Sequence, residues 1–426
     1  MKYPLAFDSW GEEEYETVNR TVRSGNRTMG AAVRNFEYEF VKWHKRELTH
    51  EAVMVNSGSS ANLLAISALF ITQSWSRGDE VIVPAVGWST TYAPLVQLGL
   101  TAVFVDVDAD GVIDITNLDK FVSQRTRAVV AVNVLGRPPQ LTVLRNFCDR
   151  HGLALIEDNC EGFGSYEYNL PDTNWCGFAG DVGTWSFFFS HHLNTMEGGM
   201  VVARNSGVAD CVRCLRAHGW IRDLRSDRLL QTFNGNIRQP DFNDKFTFIL
   251  PGYCMRPTEI QGAVGLVQLG RAKEFLVHRK ANSMFFMNVI NRVKTFKTIS
   301  DPARIGHTWY GLPLHVEPLY EGRRNALARY LARNGIESRP VITGNFLRQP
   351  MARNFGTVIA NGLNRYEGDC TLSNIDHSLQ NGYFKNADDI DANAMFFGNT
   401  GHNLKNEIDY LGVMLQKFLE HEKGGV

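Results

Sequence analysis

The sequence has no apolar run long enough to cross a bilayer: the longest, Leu63 to Ile71, falls well short of the roughly 20 residues such a helix needs. The segment Met1 to Asp8 lacks the apolar core of a secretory signal, so a cytoplasmic protein is expected. Charge of either sign is also not in excess. The 44 Lys+Arg against 45 Asp+Glu leave a net charge of −1, so neither nucleic acid nor an anionic membrane is expected as a partner. Cysteine is scarce, seven scattered through 426 residues, which excludes a disulfide framework and points to reduced thiols. The spacing Cys211-x-x-Cys214 could be half a zinc site, but no second ligand group follows it. Two thiols packed on a helix are expected instead, and no metal. Internal repeats are missing as well. One further absence is local: no lysine occurs between Lys120 and Lys245.

What is present, at an ordinary 44% hydrophobic content, is an alternation of strands and helices. Residues 9 to 24 and 33 to 47 have the periodicity of two amphipathic entry helices. Short apolar runs at 52–55, 79–85, 102–107, 128–133, 153–159 and 199–203 read as strands, with helices at 61–70 and, between the third and fourth strands, at 117–123. That order predicts a parallel sheet covered by helices. A helix from Asp210 to His218, two helices at 259–269 and 271–294, a strand at 308–316 and helices at 325–334 and 411–423 follow. Asp223 to Lys245 is polar and aperiodic, a long loop of the kind that carries function. The chain divides into a large domain, 1–270, and a smaller α+β domain, 271–426.

Four strand ends carry polar residues that need an explanation. Ser57-Gly58-Ser59-Ser60 joins a strand to a helix start, which makes either a phosphate site or a plain N-cap. Trp88, after the strand Asp79 to Ala85, either packs or stacks on a flat ring. Asp158 ends a buried strand, where a carboxylate needs a partner: a protonated ring nitrogen, a helix end or a cation. The stretch Gly183 to Gly199 reads as a buried, phenylalanine-rich strand that ends in His191 and His192 and is closed by a Gly-Gly turn.

Taken together these stretches resemble the vitamin B6-dependent family of sugar aminotransferases and dehydratases. The resemblance rests on Ser57 to Asn62, Val83-Pro84-Ala85 with Trp88-Ser89-Thr90, Glu157 to Glu161, the phenylalanine-rich strand running to Glu197-Gly198-Gly199, and Arg256-Pro257-x-Glu259. It implies an aspartate-aminotransferase-like α/β fold (fold type I), a mostly parallel mixed sheet with a smaller α+β domain, and a homodimer with shared active sites. Gly58, Ser59 and Ser186 resemble the phosphate-binding set, Trp88 the ring-stacking residue and Asp158 the partner of the pyridinium nitrogen, with Ser190 beside them. In the family's aminotransferases a lysine that holds the cofactor covalently stands five residues after this Ser and eight before the second Gly. Both counts give His191 here, and no lysine is near enough to replace it.

The His replacement resembles the branch of the family that removes the C3 hydroxyl of nucleotide-linked 4-keto-6-deoxyhexoses in deoxysugar biosynthesis, as for lipopolysaccharide O-antigens. Leu215 to Trp220, Leu250 to Tyr253 and Arg339 to Phe346 extend the likeness. The implied reaction is a dehydration in which non-covalently held pyridoxamine phosphate (the amine form of pyridoxal phosphate) reacts with the sugar C4 ketone, His191 moves the protons, and L-glutamate restores the amine. The favoured substrate is GDP-4-keto-6-deoxymannose, with His218, Arg222, Glu337 and Arg339 as substrate-binding candidates and His192 as a structural neighbour. One departure is Tyr253-Cys254, where the family carries Tyr-Asn with the Asn reaching the partner's phosphate; a thiol is a poor substitute for an amide donor. Two other readings compete: an iron-sulfur 3-dehydrase acting on a CDP- or TDP-sugar, disfavoured because no compact four-Cys group exists, and a non-catalytic homologue.

Overall fold

A computed structural model describes residues 1–167, 175–226, 229–230, 246–293, 295–298, 306–320, 322–353, 358–360, 375–376 and 379–424. Two helices, α1 (Glu12–Arg23) and α2 (Ala31–Trp43), lead into an alternating series: β1 (Glu51–Val55), α3 (Gly58–Thr72), β2 (Glu80–Pro84), α4 (Ser89–Gln97), β3 (Thr101–Val105), β4 (Thr126–Val132), α5 (Leu141–His151), β5 (Ala154–Asp158), β6 (Val182–Ser186), β7 (Gly199–Ala203) and α6 (Ser206–Arg216). The strands are short and fully apolar at most positions because helices cover both faces, so the period-2 alternation of a half-exposed sheet is missing. With the edge strand β11 (Val358–Ala360) they form an eight-stranded sheet in the order β1-β7-β6-β5-β4-β2-β3-β11. β7 runs antiparallel to β1 and β6, and every other pairing is parallel.

The second layer begins with α7 (Glu259–Val293), a single 35-residue helix where the sequence predicts two. Gly270 stands between the two predicted helices, yet a Cβ there would meet nothing and one glycine costs a helix only about 1 kcal/mol, so the helix runs through. Beyond it, β8 (Phe296–Lys297), β9 (Gly311–Val316), β10 (Arg339–Pro340) and β12 (Ala394–Gly398) make an antiparallel sheet ordered β10-β12-β9-β8. Helices α8 (Arg323–Arg333), α9 (Lys385–Asn393) and α10 (Lys405–Gly424) complete this layer. Its core, with Phe286, Leu314, Phe397 and Leu411, is separate from that of the large sheet.

Local departures from the sequence expectations have physical causes. The segment 117–123 is one 3₁₀ turn, Leu118–Phe121, not a helix. The phenylalanine strand stops at Ser186, where its partners end: Asp158 pairs Thr184, and Gly199 pairs Ser186. Past that point Phe187 stays buried, while Phe188 and Phe189 turn outward, 43% and 38% exposed. Arg213 and Arg216, on the helix that ends near His218, are buried in ion pairs with Asp210, Glu51 and Glu37. Cys211 and Cys214 are buried free thiols on α6. Most of the expected loop from Asp223 to Lys245 lies outside the described residues. Within its described part Arg225 pairs with Glu37.

Candidate active site

The carboxyl ends of β1, β2, β4, β5 and β6 open on one pocket of about 300 Å³, the position where open α/β sheets place ligands. Its walls include Gly58, Ser59, Trp88, Asp158, Ser186, Ser190 and His191 from the large sheet. Tyr310, Arg339 and Phe396 of the second layer close it. Seven site residues expected from the sequence, together with Arg339, therefore share one cavity.

Helix α3 begins at its rim. Ser57 caps it by accepting from the Ser60 N–H at 3.1 Å, and the N–H groups of the first turn point outward without intrahelical acceptors. Gly58 is required by close approach: a Cβ there would lie 2.7 Å from the Ser186 Cβ. Gly199 is required for the same reason, since its Cβ would fall 2.2 Å from the Ser57 oxygen. These two contacts press the helix start against the end of β6 and the start of β7, so that the first turn of α3, Ser59 and Ser186 line the same part of the pocket. The Ser59 hydroxyl is also 3.0 Å from that of Thr90.

Asp158 is buried at the end of β5. Its Oδ2 accepts from Asn62 Nδ2 at 2.9 Å and from the Thr91 hydroxyl at 2.6 Å, Oδ1 accepts from the Cys160 N–H at 3.4 Å, and the Cys160 thiol is a further hydrogen-bond partner of the carboxylate. One oxygen is thus saturated and the other keeps capacity for a further donor. Trp88 caps α4 at the pocket wall and is 52% exposed. An anion cradle at a helix start, an exposed indole and a carboxylate with a spare oxygen suit a pyridine ring that bears a phosphate at one end and a protonated nitrogen at the other. Among the described residues, no lysine lines the pocket.

His191 stands on the turn after β6, its N–H donating to the Phe188 oxygen at 2.8 Å. Its Nδ1 lies 2.8 Å from the Cys160 carbonyl oxygen. A carbonyl only accepts, so Nδ1 carries the proton and Nε2 keeps its lone pair. Burial lowers the imidazole pKa to about 4, with the positive charge of Arg279 adding to the effect and the bond to Cys160 opposing it. The Tyr310 ring lies 4.9 Å from the imidazole, and its hydroxyl is 3.0 Å from that of Ser190. His192 is buried behind, with Nε2 3.4 Å from the Thr308 oxygen. Glu161, also on the pocket wall, accepts from the Leu135 N–H at 2.7 Å. Burial, with the Asp158 charge adding, raises its pKa to about 8.

Three substrate-binding candidates are not on the pocket wall. His218 and Arg222 gather around Trp220, at 5.2 and 5.3 Å from its ring, and Arg256 faces the same ring at 5.7 Å. Glu337 accepts from the Leu5 N–H at 3.0 Å. Conversely, the sequence reading assigned no role to Tyr310, Asn62, Thr91 or Glu161. Asn62 and Glu161 stand inside recognised motifs and could have been found there. Nothing near Tyr310 marks it.

Fold and pocket together define an aspartate-aminotransferase-like vitamin B6 enzyme. The chain belongs to the DegT/DnrJ/EryC1/StrS aminotransferase family, whose model matches residues 8–367. It is 36% identical to the GDP-4-keto-6-deoxy-D-mannose 3-dehydratase of Escherichia coli O55:H7 over 420 residues, 98% of this chain and 100% of that one. Among solved structures it is similar to the Escherichia coli GDP-4-keto-6-deoxy-D-mannose-3-dehydratase with bound hydrated pyridoxal phosphate, at 34% identity and a TM-score of 0.85 over 97% of this chain and 99% of that one. A structure of a GDP-4-keto-6-deoxymannose-3-dehydratase with a trapped pyridoxal phosphate–glutamate adduct matches with the same identity and TM-score over 97% of this chain and all of that one.

Proposed function

We propose that this protein is a pyridoxamine phosphate-dependent 3-dehydratase of a nucleotide-linked 4-keto-6-deoxyhexose, with GDP-4-keto-6-deoxymannose as substrate and L-glutamate regenerating the cofactor. The observation that carries the reading is His191: an imidazole in the family's lysine position, its Nδ1 committed to Cys160 and its Nε2 left as a base. The activity of the similar GDP-sugar dehydratases supports the GDP-sugar, and the glutamate adduct trapped in one of them supports the amino donor.

When bound, the cofactor supplies an amine for the C4 ketone and a ring that accepts electrons. The chain's own residues do the rest. The first turn of α3 with Ser59 and Ser186 would hold the phosphate, Trp88 would cover the ring, and Asp158 would keep the ring nitrogen protonated, with Ser190 completing the wall. His191 begins as the free base because its pKa is about 4. Its Nε2 accepts a proton and then delivers one to the departing C3 oxygen, so a single imidazole serves as base and acid in turn. With no lysine among the described residues of the pocket, the cofactor would be held by non-covalent contacts alone.

Arg339 is the pocket-lining candidate for the sugar nucleotide. The reading includes a cytoplasmic homodimer, in which His218, Arg222 and Glu337 act as further substrate contacts. It also includes division into a large domain, 1–270, and a small one, 271–426. The four-stranded sheet drawn wholly from residues after 295 supports that division.

The test is incubation of purified protein with pyridoxamine phosphate, L-glutamate and a panel of GDP-, CDP- and TDP-linked 4-keto-6-deoxy sugars, followed by mass spectrometry. Loss of the C3 oxygen from the GDP-sugar is expected. An amino-sugar product, or no turnover with any member of the panel, overturns the reading.

A further inference from the structure

Arg279, on the buried face of α7, is 3% exposed and has no carboxylate partner among the described residues. Its NH1 group donates to two carbonyl oxygens, those of Trp309 at 3.1 Å and Tyr310 at 3.2 Å, and its Nε is buried without an acceptor. Buried guanidinium groups are ordinarily paired, so an unpaired one behind a reaction site calls for a function. Those two carbonyls belong to the turn that presents Tyr310 to the imidazole of His191. Trp309 holds a left-handed φ of 54° there. Asn399 fastens the same turn, its Nδ2 donating to the Trp309 oxygen at 2.8 Å and to the Arg279 oxygen at 3.2 Å.

We infer that Arg279 is a positioning residue for His191: its guanidinium, without a carboxylate partner among the described residues, pins the Trp309-Tyr310 turn against the imidazole and holds a positive charge behind the reaction site. Among the described residues, the other charged or titratable groups facing the site are Asp158, Cys160 and Glu161 at the end of β5, His192 and Glu197 on the histidine loop, Tyr310 before β9 and Arg339 on β10. Of these, the three carboxyl groups of Asp158, Glu161 and Glu197 would, when ionised, favour an imidazolium. Glu161 is held protonated near neutral pH, and Asp158 and Glu197 do not outweigh burial and the guanidinium, since the His191 pKa still falls to about 4. Burial first, and then the charge of Arg279, lowers the pKa of both His191 and His192, and the pKa of Arg279 itself falls to about 10 on burial. A base that must first take a proton gains from such a neighbour, because it stays unprotonated in mildly acid solution.

The inference rests on the reading of His191 as the proton carrier, and its test has a readout that needs no turnover. The full chain is labelled with ¹⁵N-histidine, and the His191 ring nitrogens, assigned with His191→Asn, are followed by NMR between pH 4 and 8. In the wild type the ring should stay neutral to pH 5 with the proton on Nδ1. In Arg279→Gln its midpoint should rise by about one pH unit, as expected for loss of a nearby like charge, while Arg279→Lys should keep the wild-type value. The acid limb of kcat/KM should move upward in Arg279→Gln by the same amount. An unmoved midpoint in Arg279→Gln, or an equal rise in Arg279→Lys, overturns the inference. Should neither variant fold, a wild-type midpoint at or above the ordinary value of about 6.5 overturns it. Failure of turnover with every sugar nucleotide would sink the proposed reaction while leaving this titration readable.

Discussion

The imidazole of His191 is tied through Nδ1 to the carbonyl oxygen of Cys160 at 2.8 Å, two residues beyond the aspartate that ends β5. That one bond fixes the tautomer, turns the ring, and couples the end of β6 to the end of β5.

Replacement of His191 by asparagine removes the base and leaves the phosphate cradle, Trp88 and Asp158 in place. Dehydration should fall by about 10²–10⁴-fold, the range for loss of a general acid–base group. Cofactor binding, followed by its absorbance on titration, should stay close to wild type. Surviving turnover would move the role to another group, with His192 the first suspect.

Asp158→Asn separates charge from shape. The amide oxygen can still accept from Asn62 and Thr91, so the fold should persist with little change in melting temperature. An amide cannot hold a positive ring nitrogen, and turnover should drop about a hundredfold, as when one preorganised electrostatic contact is lost at a reaction centre. Turnover within a factor of three of wild type would contradict the role proposed for Asp158.

Gly58→Ala tests the close approach of α3 to β6. With only 2.7 Å between the new Cβ and that of Ser186, one element must shift. A cost of about 1–3 kcal/mol in stability is expected from denaturant unfolding. Weakened cofactor affinity should accompany it, because the same contact shapes the phosphate cradle. Unchanged values for both would mean that the cradle is not formed by this contact.

Two buried carboxyl groups make the stability depend on pH. Burial raises the pKa of Glu157 to about 7 and that of Glu161 to about 8, from an ordinary 4.5. The unfolded chain releases these protons near 4.5 and the folded chain holds them longer. Their contribution is therefore complete below 4.5 and lost as pH rises through 7 and 8. The melting temperature of the protein without cofactor should fall between pH 6 and 9, and less steeply in Glu161→Gln. Equal slopes would show that Glu161 does not titrate in this window.

Much of the site was legible because its parts stand at strand ends in chain order. Ser57 to Asn62, Trp88, Asp158, Ser186 and His191 each follow a recognisable apolar run, and a parallel sheet gathers such ends on one edge. The lysine gap mattered as much as any motif, since it left His191 as the residue at the amine's position. Tyr310 and Arg279 were not legible for the opposite reason. They lie on a helix and a turn more than eighty residues downstream of His191 and reach the pocket only through packing of the second layer, which no local pattern encodes. The exposure of Phe188 and Phe189 was missed because composition favours burial, whereas strand length is set by the neighbouring strands. Helix α7 is one element where the sequence predicts two, because Gly270 between them does not interrupt it.

That helix has a mechanical consequence. At about 1.5 Å per residue its 35 residues form a strut of roughly 50 Å. Along it, Glu259 accepts from the N–H groups of Gly30 and Ala32 at the start of α2, Gln268 from the Asn194 N–H beyond the histidines, and Asn282 donates toward Thr400 and His402. Entry helices, histidine loop and second sheet are therefore clamped to one rod. Their backbone amides should exchange with deuterium as one cooperative unit, through the same rare opening and not by separate local breathing. The position of His191 is thus maintained by the same rod that holds the two sheets together.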